Sequence, residues 1–261
     1  MADKLAIITG ASTGIGFELA TLAAKDGYDL IVVADEALIN AAANDFEQFG
    51  TTVTAIEADL STIEGVDRVL EAANGRQIDL LCANAGHGLG HAFLDQDVRD
   101  WRSVVDTNIT GTAYLLQNVL GPMVARNTGR VLVTGSIAGY IPGSFQAVYN
   151  GTKAFVDSFV AAIQNEIKDA DGVTLTNLMP GPVDTEFFAR GDMLDTDVGS
   201  DPNKSDPADV AKDGWDALMA GKASVVSGWK NKIQSAVANI TPNAILAEQH
   251  RKMAEPGTAK D

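Results

Sequence analysis

One cysteine, three histidines, and 19 basic residues against 35 acidic ones are thin supplies for a chain of 261 residues. Each shortage removes a class of function. The lone thiol, Cys82, rules out an intrachain disulfide and any cysteine cluster around a metal. Set in the apolar run 78–83, it reads as a buried, inert group. His87, His91 and His250 lie too far apart in sequence for a zinc site, so no metal is expected. A formal net charge of −16 with no basic cluster repels nucleic acid and anionic membrane surfaces. No apolar run approaches the ~18 residues of a membrane span. The five-residue apolar run before Gly10 is too short for a signal peptide and reads as a first strand. A cytoplasmic protein with neither a nucleic-acid nor a membrane partner is the expectation. Aromatics are sparse, at 6 %, so the core must be built mainly from Ala, Val, Ile and Leu.

What is present is alternation. Short apolar runs at 5–9, 30–34, 53–57, 78–83, 131–134, 175–179 and 224–227 are separated by segments of helical period, such as 15–25, 38–49, 66–73 and 104–124. This order predicts an α/β fold, a doubly wound parallel sheet of about seven strands with helices on both faces. Its strand carboxyl ends share one edge, where ligands bind. No linker or repeat divides the chain, so 1–261 reads as a single domain. Two stretches depart from the pattern. Residues 185–207, rich in Asp, Gly, Ser and Pro, read either as an active-site lid or as a disordered acidic loop. Residues 229–240 and 243–253 read as two short helices parted by Pro242, which close the site or extend an interface. The end, 255–261, is expected to fray.

The first apolar run leads into Thr9-Gly10-Ala11-Ser12-Thr13-Gly14-Ile15-Gly16 and then a helical pattern. Glycines permit positive φ and close backbone approach, and a helix N-terminus offers unpaired N–H groups to a phosphate. The spacing differs from the usual Gly-x-Gly-x-x-Gly but serves the same physics. Gly10-Ala11-Ser12-Thr13-Gly14 also matches the Gly-x-Ser-x-Gly elbow of hydrolases, with His250 as the only late histidine. That reading leaves Gly16, Tyr149 and Lys153 unexplained.

Tyr149 and Lys153 stand four residues apart at the start of another helical pattern, so they share a face. A phenol, with an ordinary pKa of ~10, is a poor proton donor at neutral pH. A cation held close favours the phenolate. Lowering the pKa by roughly two to three units takes about 3–4 kcal/mol, much of which one lysine in a partly dry cleft can supply.

With this turn and this pair the chain resembles the short-chain dehydrogenase/reductase family, over roughly residues 4–228. Five further signals agree in order. Asp59-Leu60 follows the third strand, where the family contacts adenine. Asn84-Ala85-Gly86 follows the fourth, with Ala83 in place of the family's first Asn. Asn108-Ile109-Thr110-Gly111 resembles its Asn-x-x-Gly. Ser136 precedes Tyr149 by thirteen residues, and Pro180-Gly181-Pro182-Val183-Asp184-Thr185 looks like the loop that holds the nicotinamide.

The resemblance implies a Rossmann-like fold and an NAD(P)-dependent oxidoreductase acting on an alcohol or ketone. It assigns catalysis to Asn108, Ser136, Tyr149 and Lys153. Ser136 would hydrogen-bond the substrate oxygen, and Tyr149 would move the proton. Lys153 would hold the ribose and lower the phenol's pKa. Asn108 would anchor a proton-relaying water or serve structure alone. The cofactor is assigned to Gly10, Ser12, Thr13, Gly14, Ile15, Gly16, Asp35, Asp59, Leu60, Asn84, Ala85, Gly86, Tyr149, Lys153, Pro180, Gly181, Val183 and Thr185.

NADP-preferring relatives carry Arg or Lys just after the second strand, or a basic residue within the turn. Here the strand is followed by Asp35-Glu36 and the turn has Thr13. A carboxylate there accepts from the ribose hydroxyls and repels a 2′-phosphate, so NAD is expected over NADP, with Asp35 the main determinant. Ala138, Gly139, Tyr140, Phe145 and Gln146, with Phe187, Phe188 and Met193 from the lid, suggest a mostly apolar pocket for a small-molecule secondary alcohol or ketone. His87 and His91 read as loop residues. Surplus apolar faces on the Tyr149 helix and on 111–125 suggest a homodimer or homotetramer, as is usual in the family. The rival function is a dinucleotide-sensing regulator. Such proteins usually lose the tyrosine or lysine, and this chain keeps both.

Overall fold

In the computed structural model, which describes residues 4–259, every residue of the first strand, β1 (Leu5–Thr9), is buried. A strand buried on both faces belongs to a parallel sheet covered on each side by helices. The elements follow as α1 (Gly14–Lys25), β2 (Asp29–Ala34), α2 (Leu38–Glu47), β3 (Val53–Glu57), α3 (Ile63–Glu71), β4 (Leu80–Ala83), α4 (Val98–Val105), α5 (Thr112–Ala125), β5 (Gly129–Thr134), α6 (Ala147–Glu166) and β6 (Val173–Met179). The chain ends with α7 (Phe187–Arg190), α8 (Asp197–Ser200), α9 (Pro207–Met219), β7 (Ser224–Val226), α10 (Trp229–Ala238) and α11 (Asn243–Ala254). The strands form one parallel sheet in the order β3-β2-β1-β4-β5-β6-β7.

Successive side chains of a strand point to opposite faces, and β1 divides accordingly. Ala6 and Ile8 join the core under α1, α2 and α9, with Leu19, Phe46 and Trp215. Leu5 and Ile7 join the core under α3, α5 and α6, with Val66, Leu116 and Val160. Fully burying such a side chain contributes ~1.5–3 kcal/mol, and these two layers fix the register of the whole sheet. The strand order reverses between β1 and β4, so the first two crossovers leave a crevice at the carboxyl edge there.

Two expectations fail in instructive ways. The helical pattern at 104–124 is not one helix: α4 ends at Val105, a wide π-turn occupies Asp106–Gly111, and α5 starts at Thr112. The cause is tertiary. The backbone at Gly111 lies so close to the Leu60 carbonyl that a Cβ would sit 2.0 Å from its oxygen, and Asn108 is drawn inward to bond His87 and Thr152. The tail, expected to fray, is held as far as Ala259. Gly257 donates to the Asp195 carboxylate at 3.0 Å and Ala259 to the Asp195 carbonyl at 2.9 Å, while Asp197 N–H donates to Thr258 Oγ1 at 3.0 Å. Residues 260 and 261 of that expectation lie outside the described residues.

Candidate active site

The turn leaving β1 is fixed by contacts that only glycine allows. Gly10 and Gly14 adopt φ of 65° and 59°, and a Cβ on Gly16 would lie 2.0 Å from the Gly10 carbonyl oxygen. Asn84 fastens the neighbouring strand ends. Its amide donates to the Thr9 carbonyl at 3.1 Å, and its Oδ1 accepts from the Thr134 hydroxyl at 3.0 Å. Thr13, the residue before α1, makes no side-chain cap to the helix, so the first N–H groups of α1 keep their capacity for an anion. This cradle fits a dinucleotide pyrophosphate.

From the turn a cavity of about 910 Å³ runs along the carboxyl edge of the sheet. Gly10, Thr13, Gly14 and Ile15 line its floor, with Asp35, Asp59 and Leu60 at one end. Asn84, Ala85 and Gly86 line the middle, and Pro180, Gly181, Val183 and Thr185 the roof. Ser136, Tyr149 and Lys153 meet at the other end. Three residues expected in the site stand behind its wall instead. Ser12 donates its hydroxyl to Glu36 Oε1 at 2.6 Å, which removes it as a hydrolase nucleophile. Gly16 packs under the turn. Asn108 accepts the His87 N–H at 3.1 Å and donates to the His87 carbonyl and to Thr152 Oγ1, both at 3.0 Å. Its amide is therefore spent on bracing the loop after β4 against α6.

Burial governs the end where Ser136, Tyr149 and Lys153 meet. Tyr149 keeps part of its surface open to the cavity, yet the protein packed around it pushes the phenol up to about 12, with the Ser136 hydroxyl pulling the other way. The same burial pulls the Lys153 ammonium down to about 8, offset in part by the Asp157 charge. Lys153 Nζ donates to the Thr134 carbonyl at 2.7 Å and stands 6.0 Å from the centre of the Tyr149 ring. The lowering of the phenol expected from this lysine is not found: desolvation dominates, and the group that opposes it is Ser136. Asp157, one turn further along α6, accepts from Asn177 Nδ2 at 2.8 Å. Its carboxylate fills space left by the two glycines that bracket Ser136: a Cβ on Gly135 or on Gly139 would come 2.0 or 2.4 Å from its oxygens. Burial holds Asp157 above the usual carboxylate range. Ser136 itself accepts the Ala138 N–H at 3.1 Å.

A family model for short chain dehydrogenases matches residues 4–192. The chain belongs to the short-chain dehydrogenase/reductase family. An oxidoreductase of Staphylococcus aureus is 30 % identical over 215 residues, covering 81 % of this chain and 89 % of its own. Among solved structures, a short-chain dehydrogenase from Sphingobium yanoikuyae in complex with NADPH superposes with a TM-score of 0.80 at 23 % identity, over 91 % of this chain and 94 % of that one. A short-chain dehydrogenase/reductase from Burkholderia phymatum in complex with NAD gives 0.79 at 24 % identity, over 89 % and 92 %. At such identities the likeness shows the fold.

In this dehydrogenase the segment beyond residue 192 supplies what sequence reasoning missed. Residues 185–207 are ordered, and Phe187, Phe188 and Val198 of this stretch line the cavity. The base of the stretch is closed by the Val183–Ser205 bridge, and Phe188, Met193 and Val198 form a small core of their own. Phe187 sets its ring 5.0 Å from that of Tyr149. Met193 is therefore packing, not pocket wall. Phe145 and Tyr140 are also turned away: Phe145 lies under Arg251 and Tyr140 bonds Met179 Sδ. The pocket wall is completed by Gln234 of α10 and by His250 and Met253 of α11. His250 Nδ1 lies 2.8 Å from the Ser144 carbonyl, and burial pushes its pKa below the ordinary histidine value. Of the two early histidines, His87 lines the cavity and His91 pairs with Asp192 at 2.7 Å. Arg190 of the 185–207 stretch also lines the cavity, at the Asp35 end. No local pattern announces these residues, because their partners lie 100 or more positions away in sequence.

Proposed function

We propose that this dehydrogenase interconverts a secondary alcohol and a ketone, using NAD in preference to NADP. The observation that carries the reading is one cavity with two chemically distinct ends. Ser136, Tyr149 and Lys153 meet at one, and a glycine turn with Asp35 stands at the other. The bound nicotinamide supplies or accepts the hydride. Gly10, Gly14 and the first N–H groups of α1 hold the pyrophosphate. Asp35 accepts from the adenosine ribose hydroxyls, and Lys153 Nζ donates to the hydroxyls of the second ribose.

The chain's own work is on the substrate oxygen. Ser136 Oγ donates a hydrogen bond to it and fixes its position. Tyr149, held protonated by burial, delivers its phenolic proton to that oxygen in reduction and recovers it in oxidation. Positioned proton transfer of this kind is worth 10²–10⁴-fold. Phe187, Phe188 and Met253 exclude water and favour an apolar substrate body.

The test is an NADH-consumption screen over ketones, aldehydes and sugars, with Tyr149→Phe as the blank. Turnover that the blank abolishes supports the reading, and binding of NADH without turnover of any substrate overturns it in favour of a sensor. Comparing kcat/KM for NADH and NADPH tests the preference. Asp35→Ala should narrow the gap several-fold, and a preference for NADPH in the wild type would refute the assignment. Phe155 of α6, 41 % exposed and stacked on Phe159 at 5.3 Å, supports a homo-oligomer through that face. Light scattering at micromolar concentration should return at least a dimer mass.

A further inference from the structure

The adenosine end of the cavity holds a cation that the sequence around it lacks. Neither the turn nor the residues after β2 include Arg or Lys, yet Arg190 arrives there from the lid. Its Nη2 lies 2.5 Å from Glu36 Oε1, the same oxygen that accepts the Ser12 hydroxyl at 2.6 Å. Arg190 lines the same cavity as Thr13, Ala34 and Asp35, and its contact with Glu36 places it near the end of β2, whereas Glu36 is not part of the lining. A ligand in this corner therefore meets the guanidinium, with Glu36 behind it. The Ser12 hydroxyl and then Arg190 hold Glu36 below the usual carboxylate range, so Glu36 stays charged and keeps the guanidinium in place.

The Asp35-Glu36 pair is thus split in its duties. Asp35 faces the site as a lone carboxylate, while the charge of Glu36 is matched by a partner from another part of the chain. A guanidinium presents five N–H donors in a fixed fork and suits phosphate oxygens. One arm on Glu36 orients the fork without exhausting it.

We propose that Arg190 is a cofactor-specificity residue: presented by the lid and oriented by Glu36 and Ser12, it receives the 2′-phosphate of NADP and narrows the preference for NAD that Asp35 imposes. This rests on the dinucleotide reading of the cavity and refines it. The discrimination is set by two opposed groups 155 positions apart in sequence, one on the sheet edge and one on the lid. Closing the lid is then part of binding NADP in a way that it is not for NAD.

The experiment is direct titration of NADPH and NADH onto the purified protein by nucleotide fluorescence, without substrate. Arg190→Ala should weaken NADPH by at least tenfold and NADH by less than threefold. Glu36→Gln, which keeps a hydrogen-bond acceptor for the guanidinium but removes the negative charge that competes with the phosphate for it, should tighten NADPH several-fold and leave NADH nearly unchanged. Arg190→Lys should keep part of the NADPH affinity, and thermal melts confirm that each variant folds. An Arg190→Ala protein in which both nucleotides weaken equally would make the contact a lid fastening alone and overturn the assignment. So would one in which neither changes. A wild-type protein that binds neither nucleotide would remove the dinucleotide reading itself, and this inference with it.

Discussion

The two ends of the cavity handle charge in opposite ways. At the Asp35 end Arg190 and Glu36 form an ion pair with side chains 40 % and 32 % exposed. Water screens such a pair, which contributes little to stability and can be exchanged for a ligand's charge at small cost. At the other end Lys153 is buried and its neighbours are Tyr149 and Asp157. Here burial, not pairing, decides protonation: the phenol rises, the ammonium falls and the carboxyl rises. All three shifts favour the neutral form, as desolvation requires. One end keeps its charges paired and partly in water, while the other holds its titratable groups where burial weakens charge.

The largest effect that could break this contrast is at Tyr149. Removing the phenolic oxygen in Tyr149→Phe should lower kcat by ~10²–10⁴-fold while changing the NADH dissociation constant by less than threefold. A kcat within tenfold of the wild type would mean that the proton comes from elsewhere.

Lys153 offers a second test, in stability rather than rate. Its folded pKa is about 8 against an ordinary value of 10.5. Between those values the native state holds fewer protons than the unfolded chain, so stability rises with pH across that window. Below pH 8 the lysine is charged in both states and the folded protein bears the full cost of burying that charge. Lys153→Met should erase that rise with pH. Denaturant unfolding of wild type and variant at pH 7.5 and 9.5 should differ in slope, with the variant's advantage at the lower pH as large as about 3 kcal/mol. The difference between the two proteins isolates Lys153, because both lose stability with rising pH where burial holds the Cys82 thiol above its ordinary 9.0 and the Tyr149 phenol above its ordinary 10.0. Parallel curves for the two proteins would show that Lys153 is better solvated than its surroundings imply.

The same contrast explains how much could be read from the chain. The sheet was legible because every strand is a short apolar run between turn residues; β1 and β3 fall on the expected residues, and the others differ only at their ends. The glycine turn, Ser136, Tyr149 and Lys153 were legible as a spaced pattern, and the fold brings them to one cavity. What could not be read depends on distance in space alone. A π-turn at 106–111 has no pattern of its own; it follows from the close approach of Gly111 to Leu60. Nothing near Asp35 or Glu36 foretells Arg190, and nothing near Ser144 foretells His250. Sequence spacing also could not show that burial would dominate the phenol, because desolvation is a property of the packed surroundings.

The smallest expected effect concerns the lid, which touches both ends. Phe187 covers Tyr149 and Arg190 reaches Glu36, so one short segment links the two ends of the cavity. Its far side is fastened by the chain terminus: the Asp195 carboxylate accepts from Gly257, and Thr258 receives the Asp197 N–H. The first is exposed and the second half-buried, each worth about 0.5–1.5 kcal/mol, somewhat more where the acceptor is charged. Asp195→Ala should loosen the lid without altering the Ser136–Tyr149–Lys153 corner. The expected outcome is a rise in substrate KM of about three- to tenfold, faster proteolysis within 191–196, and a kcat within twofold of the wild type. If kcat falls as steeply as KM rises, the lid shapes the proton-transfer geometry itself, and the two ends of the cavity are coupled through it rather than merely covered by it.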